Sequence, residues 1–594
     1  MKKTHFLQTL YLQKPLILIL LIAALSTLPW IGLGDFYTKG EPREAGLAVY
    51  MINEGTWEAW VMPQSYADEF AYKPPLNHWL ISIFSIAFNN GEVTPFTSRL
   101  PSAIAFIAMI GICFMFFARR RPVLESFISC LIMITCFEIH RAAMTTRVDM
   151  LLTFFMVASI IQLFTWYEKR RLGQLASAWL LLSLGTLVKG PVALILPTAI
   201  FGVYLLTQKI NFFKATAKCL YVLIPALIIP AIWYYLAYQV QGDAFVNKAF
   251  GENIGRFLSM KASELGTDYE LGVENPWYYY PITLLSGFLP WTILTFISLF
   301  FIKYKVPKIS IKDFFNRILN MDKVLLYSLI VIVVSLLFFT IPTSKRSVYI
   351  MLVYPFIAIF MARFFIWLSD YKPLSVRITT WLLCVISLIA LIIVFLVGTD
   401  IISLEGLAKR ERTIHDINVF SETFHTPDWI ECTGIAILLI AIINSVYLLR
   451  KKMNLKILMA GFGLMLAINI FMDAFLLPAF KNSYSSAPFA RQISEKYDLK
   501  DNTYVTNNLM KHYLNMYGLN FHLGNYFKNF EKELPQEGYF ICGGKVEDRI
   551  KEEYGDRYNF TLLEKSNQFN DFKDEILLFR IEKKQSSETI ADKE

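Results

Sequence analysis

The chain has 594 residues, 55% of them hydrophobic and only 18% charged, with a mean hydropathy of +0.44. That balance excludes a set of water-facing globular domains, because too few polar side chains are available to cover them. The net charge of +9 collects mostly in short loops between apolar runs, the positive-inside signature of a membrane protein, so it does not point to nucleic acid and no nucleic-acid partner is expected.

The N-terminus carries Lys2, Lys3 and Lys14 ahead of the first apolar run, near 15–33, which lacks a small-x-small cleavage site before Trp30 and Gly32 and so reads as an uncleaved first helix. Twelve more runs follow, near 99–118, 122–138, 150–166, 174–188, 192–206, 219–237, 281–302, 323–341, 347–366, 376–397, 431–449 and 456–477. Each is long enough to cross a hydrocarbon layer of roughly 30 Å as a helix. Basic clusters fall in alternate loops, at Arg119 to Arg121, Lys169 to Arg171, Lys209 to Lys218, Lys303 to Arg317, Lys372/Arg377 and Arg450 to Lys452. This places the N-terminus in the cytoplasm and the loops 34–98, 139–149, 238–280, 342–346 and 398–430 outside, together with everything after Pro478. The expected fold class is therefore an α-helical polytopic membrane protein with about 13 transmembrane helices over 1–477. A small extracytoplasmic α/β domain is expected over 478–594, with helical stretches at 487–497 and 544–553, strands at 503–505, 539–541 and 576–579, and a frayed tail. Of seven cysteines only Cys542 lies away from the apolar runs, so no disulfide framework or CxxC metal site is expected.

The chemistry-bearing residues gather in the external loops. In the first loop Pro42 opens a helix running from Glu44 to Asn53, with Glu41 and Arg43 at its start and Ala45, Leu47, Ala48, Val49 and Met51 as an apolar side expected to lie on the membrane surface. Lys73, ahead of Pro74 and Pro75, is a cation on a stiff extended segment, suited to a phosphate at headgroup level, and Pro75 opens a second helix from Leu76 to Phe88. Asp149, at the mouth of the apolar run that begins at Met150, is costly there unless it is paired or functional, with Arg147 and Arg141 as the neighbouring cations. Lys345 and Arg346 on a short external hairpin again suit a phosphate, and Arg256 in the loop after the seventh run is a weaker candidate. Tyr278 to Tyr280, Trp277 and Trp291 read as an interfacial aromatic belt. His5, His78 and His140 lack metal-ligand spacing, and signatures of hydrolases, kinases and dinucleotide enzymes are absent.

The order Gly-Glu-Pro-Arg-Glu-Ala (40–45), Tyr-Lys-Pro-Pro-Leu (72–76), Ser-Arg-Leu-Pro-Ser-Ala (98–103), Arg-x-Asp-Met (147–150), Leu-Val-Lys-Gly-Pro (187–191) and Ser-Lys-Arg-Ser-Val-Tyr (344–349) resembles the protein-mannosyltransferase-like branch of GT-C glycosyltransferases. Its nearest likeness is to the aminoarabinose transferases of bacterial lipid A. The resemblance implies a transferase in the bacterial inner membrane that moves a sugar from a polyprenyl-phosphate donor to a glycolipid of the lipid A type at the periplasmic face. It implies Glu41 and Asp149 as catalytic acids, Arg43, Lys73, Tyr72, Arg256, Lys345 and Arg346 as substrate-binding residues, and inversion in a single displacement. A protein O-mannosyltransferase acting on Ser or Thr is the alternative acceptor class, and a polytopic transporter the alternative of another kind. Two positions depart from the family pattern: Gly40 stands where an acidic pair often begins, and Tyr72 where the aminoarabinose enzymes tend to carry a glutamate implicated in metal binding. The resemblance therefore assigns neither the sugar nor a metal, and a divalent cation stays open as a cofactor.

Overall fold

A computed structural model describes residues 2–65, 69–71, 73–251, 255, 274–303, 310–404, 406, 408–506 and 516–584, with side chains from residue 12 onward. Among the described residues nine helices are long and apolar enough to cross a membrane. Two bent helix pairs and two shorter apolar helices, Leu12–Leu25 and Val192–Thr207, account for the other apolar runs. Two expected straight spans are thus broken. The run near 122–138 divides into Val123–Thr135 and Phe137–Ala143, bent by 67°, and the run near 281–302 into Tyr279–Gly287 and Trp291–Leu299, bent by 103°. Apolarity alone does not report such breaks, because both limbs of each pair remain apolar. Trp291 is buried and donates its indole N–H to Thr135 Oγ1 at 2.9 Å, and Tyr280 is buried too, whereas Trp277 and Tyr278 are exposed. The expected aromatic belt is therefore split between core and surface.

Helix ends sort by charge. The Pro95–Ala118 and Val148–Lys169 helices carry Arg99 and Asp149 at one end, and Arg119, Arg120 and Arg170 just beyond or near the other. At that second end Arg120 pairs with Glu168 at 2.6 Å and Arg121 with Glu125 at 2.9 Å. A helix of this length rises roughly 33 Å, so the two sets of charges stand on opposite sides of a layer of bilayer thickness.

The first-loop helix runs Gly40–Glu54 and the next Leu76–Asn89, close to the sequence expectation. Its apolar side does not face lipid. Ala45 and Ala48 pack with Phe36, Ile81, Val93 and Phe521 in a small core between the loop helices and the C-terminal region. The Gly46 position admits Asn525 Oδ1 so closely that an added Cβ would lie 3.1 Å from it. His522 Nε2 meets Asp35 Oδ2 at 3.0 Å, and Ser485 Oγ bonds the same carboxylate oxygen.

The C-terminal region builds a five-stranded sheet in the order Lys528–Asn529, Thr503–Val505, Glu537–Gly543, Ile576–Lys583, Tyr558–Lys565. The first three strands are parallel and the last two pair antiparallel. The expected strands lie at its centre. The edge strand Tyr558–Lys565 lies outside the expected strands, although Tyr558 to Leu562 alternate apolar and polar residues; most of it is exposed or half-buried. A helix within loop 398–430, Glu411–His425, was likewise not foreseen, having no fully buried face.

One buried side chain ties these parts together. Arg99 and Glu41 are each 1% exposed, and Arg99 Nε lies 2.9 Å from Glu41 Oε1. The guanidinium also donates to the carbonyls of Ile31 at 2.8 Å, Gly34 at 2.5 Å and Asp35 at 2.9 Å. Glu41 Oε1 accepts the Thr146 N–H at 3.0 Å as well, so the loop start, the loop helix and the Arg147-Val148-Asp149 segment share one clamp.

Two outcomes are expected from this packing. Arg99→Met strands the Glu41 carboxylate and costs about 3–5 kcal/mol, while adding Glu41→Leu recovers part of that loss; thermal unfolding of the purified protein measures both. Gly287→Ala drives its new Cβ into the Tyr354 hydroxyl, against Glu138 Cβ at 3.1 Å. A loss of about 1–3 kcal/mol is expected, largely relieved by Tyr354→Phe in the same unfolding measurement.

Candidate functional site

Beyond the clamp, two carboxylates and four cations converge at the helix ends opposite Arg119 to Arg121. Glu44 lies one turn along the first-loop helix from Glu41. Its Oε1 is 2.9 Å from Lys73 Nζ and 3.0 Å from Arg43 Nη2, and its Oε2 is 2.8 Å from His78 Nε2. Pro74 and Pro75 hold Lys73 just ahead of the second loop helix, and His78 sits on the first turn of that helix. Asp149, in the first turn of Val148–Lys169, is 2.5 Å from Lys189 Nζ and 3.7 Å from Arg147 Nε. Lys189 is the last residue of the Leu172–Lys189 helix, which stops at Gly190 with φ of +95°, a backbone conformation that favours glycine. The stop leaves Lys189 at the mouth of the helix, with Nζ 4.6 Å from the centroid of the Tyr349 ring.

The two halves form one centre. Lys73 interacts electrostatically with both Lys189 and Asp149. The carboxylate side chains are 5% and 7% exposed, whereas the four cations are 21% to 34% exposed and so form the accessible rim. Burial alone would raise the pKa of Glu44, but Lys73, His78 and Arg43 hold it well below the usual carboxylate range. Burial pushes the Lys73 ammonium down to about 8, against the opposing pull of Glu44. Four cations against two carboxylates leave an excess of two positive charges. Arg147 also lies over Gly40: a Cβ built there would sit 3.7 Å from the guanidinium, in the place where an acidic side chain would otherwise pair with it.

The remaining sequence candidates are distributed as follows. Glu41 belongs to the buried clamp, where burial would raise its pKa but Arg99, Lys481 and the Thr146 N–H hold it down. Lys345 is 4% exposed, its ammonium donating to the carbonyls of Pro342 at 2.7 Å and Asn275 at 3.1 Å, which pins the 342–346 hairpin to the segment before Tyr279–Gly287. Arg346 is exposed on that hairpin. Tyr72 and Arg256 lie outside the described residues. Among the described residues no group of three or more His, Cys, Asp or Glu side chains converges as a metal site.

Lys189, Glu44, His78 and Tyr349 are not among the sequence candidates, and Arg147 is there only as a possible partner of Asp149. Lys189 had a signal, since a lone lysine closing an apolar run at its external end runs against the positive-inside bias. Glu44 and His78, 34 residues apart, had none, because only the pairing of the two loop helices brings them together.

Residues 72–235, which contain Lys73, Arg99, Arg147, Asp149 and Lys189, match a family model described as dolichyl-phosphate-mannose-protein mannosyltransferase. An uncharacterized protein of Aquifex aeolicus is 26% identical over 337 residues, covering 54% of this chain and 59% of the relative. The undecaprenyl phosphate-alpha-4-amino-4-deoxy-L-arabinose arabinosyl transferase of Aeromonas hydrophila is 24% identical over 364 residues, covering 60% and 61%. The aligned stretches thus span about 60% of the length of these two curated relatives. The crystal structure of ArnT from Cupriavidus metallidurans bound to undecaprenyl phosphate superposes with a TM-score of 0.68 at 16% identity, over 95% of this chain and 97% of that one. Its apo structure gives a TM-score of 0.65 over the same shares. With that fold along nearly its whole length and Lys73, Arg147, Asp149 and Lys189 inside the matched stretch, the chain resembles the mannosyltransferase-like GT-C proteins, the lipid A aminoarabinose transferases among them.

Proposed function

We propose that the chain is a glycosyltransferase of the bacterial inner membrane that takes a sugar from a polyprenyl-phosphate carrier and places it on a glycolipid of the lipid A type at the periplasmic face. The observation that carries this reading is the convergence of Arg43, Lys73, Arg147 and Lys189 on Glu44 and Asp149 at the external ends of the spans. The arabinosyl transferases it resembles are named for an undecaprenyl-phosphate donor, and the ArnT fold has been seen with that carrier bound.

The chemistry follows from the charge balance. An acceptor oxygen attacks the anomeric carbon, the bond from that carbon to the carrier phosphate breaks, and its electron pair stays on the phosphate oxygen. A phosphodiester with one negative charge becomes a monoester that gains a second. The excess of positive charge at the rim, fixed in place by buried carboxylates, stabilises that gain without having to reorganise. A single displacement inverts the anomeric centre. Arg43, Lys73, Arg147 and Lys189 bind the carrier phosphate, Asp149 orients the cations and the acceptor, and Glu41 acts as a positioning residue through Arg99. Tyr72, Arg256 and Arg346 are further contacts for the carrier, while Lys345 holds the hairpin in place.

Among the described residues every carboxylate of this centre is already paired, and Gly40 supplies none. A hydroxyl acceptor needs a group to take its proton, whereas a phosphate acceptor is already ionised. This favours a phosphorylated glycolipid over a Ser or Thr side chain.

Transfer of labelled sugar from undecaprenyl-phosphate donors by the purified protein, with lipid A and a peptide offered in parallel, tests the reading. Label is expected on lipid A, with Lys73→Ala and Lys189→Ala each lowering turnover by about 10²–10³-fold. Asp149→Asn is expected to lower it comparably, and full turnover in that variant would remove Asp149 from the mechanism. Lys73 carries its proton below about pH 8 and loses it above. Carrier affinity is therefore expected to be full below that pH and to fall as pH rises through it; an unchanged fall in Lys73→Arg, whose guanidinium stays charged, would exclude Lys73 as its source.

A further inference from the structure

A cavity of about 150 Å³ opens between the Glu411–His425 helix and the C-terminal region, lined by Glu411, Arg412, Tyr484, Gln568, Phe569 and Lys573. Its aromatic wall is ordered by stacking. Phe569 lies 4.1 Å from His415 with the rings 2° from parallel, and Tyr484 stands edge-on to both His415 and Tyr37 at 5.3 Å and 5.7 Å. Arg412 bridges two of these rings by donating to the hydroxyls of Tyr484 and Tyr37, each at 3.2 Å, and the Tyr484 hydroxyl donates in turn to Asp416 Oδ1 at 2.7 Å. Gln568 donates to Glu411 at 2.5 Å. Lys573, in a turn with φ of +65°, brings its ammonium to 5.8 Å from the Tyr37 ring. Burial pushes the pKa of Lys39 down against the pull of Asp571, and the nearby Lys573 cation adds a smaller push in the same downward direction.

We infer that this cavity is a subsite for one anionic sugar ring of the acceptor headgroup. The aromatic wall suits the C–H face of a sugar, Gln568 and Glu411 offer planar donors and acceptors to its hydroxyls, and Arg412 with Lys573 faces a phosphate or carboxylate. The volume falls below the roughly 300 Å³ at which drug-sized sites begin, so a single ring is the fitting ligand. Its place links it to the reaction centre: Tyr37 precedes Gly40 by three residues, at most about 11 Å of extended chain. The assignment to the acceptor rests on the proposed transferase function, whereas binding of the sugar phosphate does not.

Calorimetric titration of the full-length protein in detergent with glucosamine 1-phosphate, glucosamine and inorganic phosphate tests the subsite, using Lys573→Met, Phe569→Leu and Arg412→Lys. The sugar phosphate is expected to bind more tightly than either part, and Lys573→Met to weaken it about tenfold, the loss of one charge-assisted contact. Undecaprenyl-phosphate binding in Lys573→Met is expected to match the unmodified protein, and in the transfer assay acceptor KM should rise with kcat nearly unchanged. Sugar-phosphate binding indifferent to all three substitutions, or inorganic phosphate binding as tightly, would overturn the subsite even if carrier binding and transfer stand. Binding that depends on Lys573 in a protein that fails to bind the carrier would instead overturn the transferase reading and leave the sugar site in place.

Discussion

The arrangement of this protein depends on a guanidinium buried where water does not reach. Arg99 sits at the start of a long apolar helix, a position that carries a large desolvation penalty, and meets it by matching its donors to one carboxylate and three carbonyls. The carbonyls come from residues 31–35 and the carboxylate from the helix that follows, so satisfying the charge also sets the geometry. The loop start is drawn to the helix end, Glu41 fixes the first turn of the loop helix, and its second contact, the Thr146 amide, fixes the approach to Asp149. The loop helix that carries Arg43 and Glu44 and the approach to Asp149 are both held by this clamp.

The charged centre shows the complementary solution. Glu44 and Asp149 are nearly as buried as Glu41, but their partners reach outward and remain partly exposed. The carboxylates are thus the anchors and the cations the working surface. Holding four cations together would be repulsive without the two buried anions, and with them the centre still carries the imbalance that an anionic ligand removes. Both carboxylates are buried, so that imbalance is screened less than it would be on an open surface.

The C-terminal sheet region is joined to this centre through the first loop. His522 and Ser485 hold Asp35, Phe521 packs on Phe36, and Asn525 fills the space over Gly46. The same loop supplies Arg99 with carbonyls, Arg43 and Glu44 to the charged centre, and Tyr37 to the cavity beside Arg412. A loop whose apolar residues could have lain on lipid is instead buried between two protein layers, which makes it rigid enough to carry all three tasks.

The sequence by itself determined the helical membrane class, the position of every apolar run, the helices of the first loop, the central strands of the C-terminal sheet, and Arg43, Lys73 and Asp149 as members of a charged centre. These are legible because apolar length, proline placement, strand periodicity and the cost of a charge at a helix mouth are all local properties of the chain. Only the tertiary structure decided which charges touch. Glu41 and Glu44 are three residues apart and alike in sequence, yet one closes a clamp with Arg99 and the other holds Lys73 and His78, because one helical turn points them at different neighbours. Lys345 and Lys189 each border an apolar helix, yet one is capped by carbonyls and the other reaches Asp149. The bends at Cys136 and Phe288 to Pro290 were equally hidden, since hydropathy records how greasy a segment is and not the direction it takes. Pairings across 29 to 105 residues, such as Lys73 with Glu44 and Glu41 with Thr146, arise from helix packing, and no local pattern encodes them.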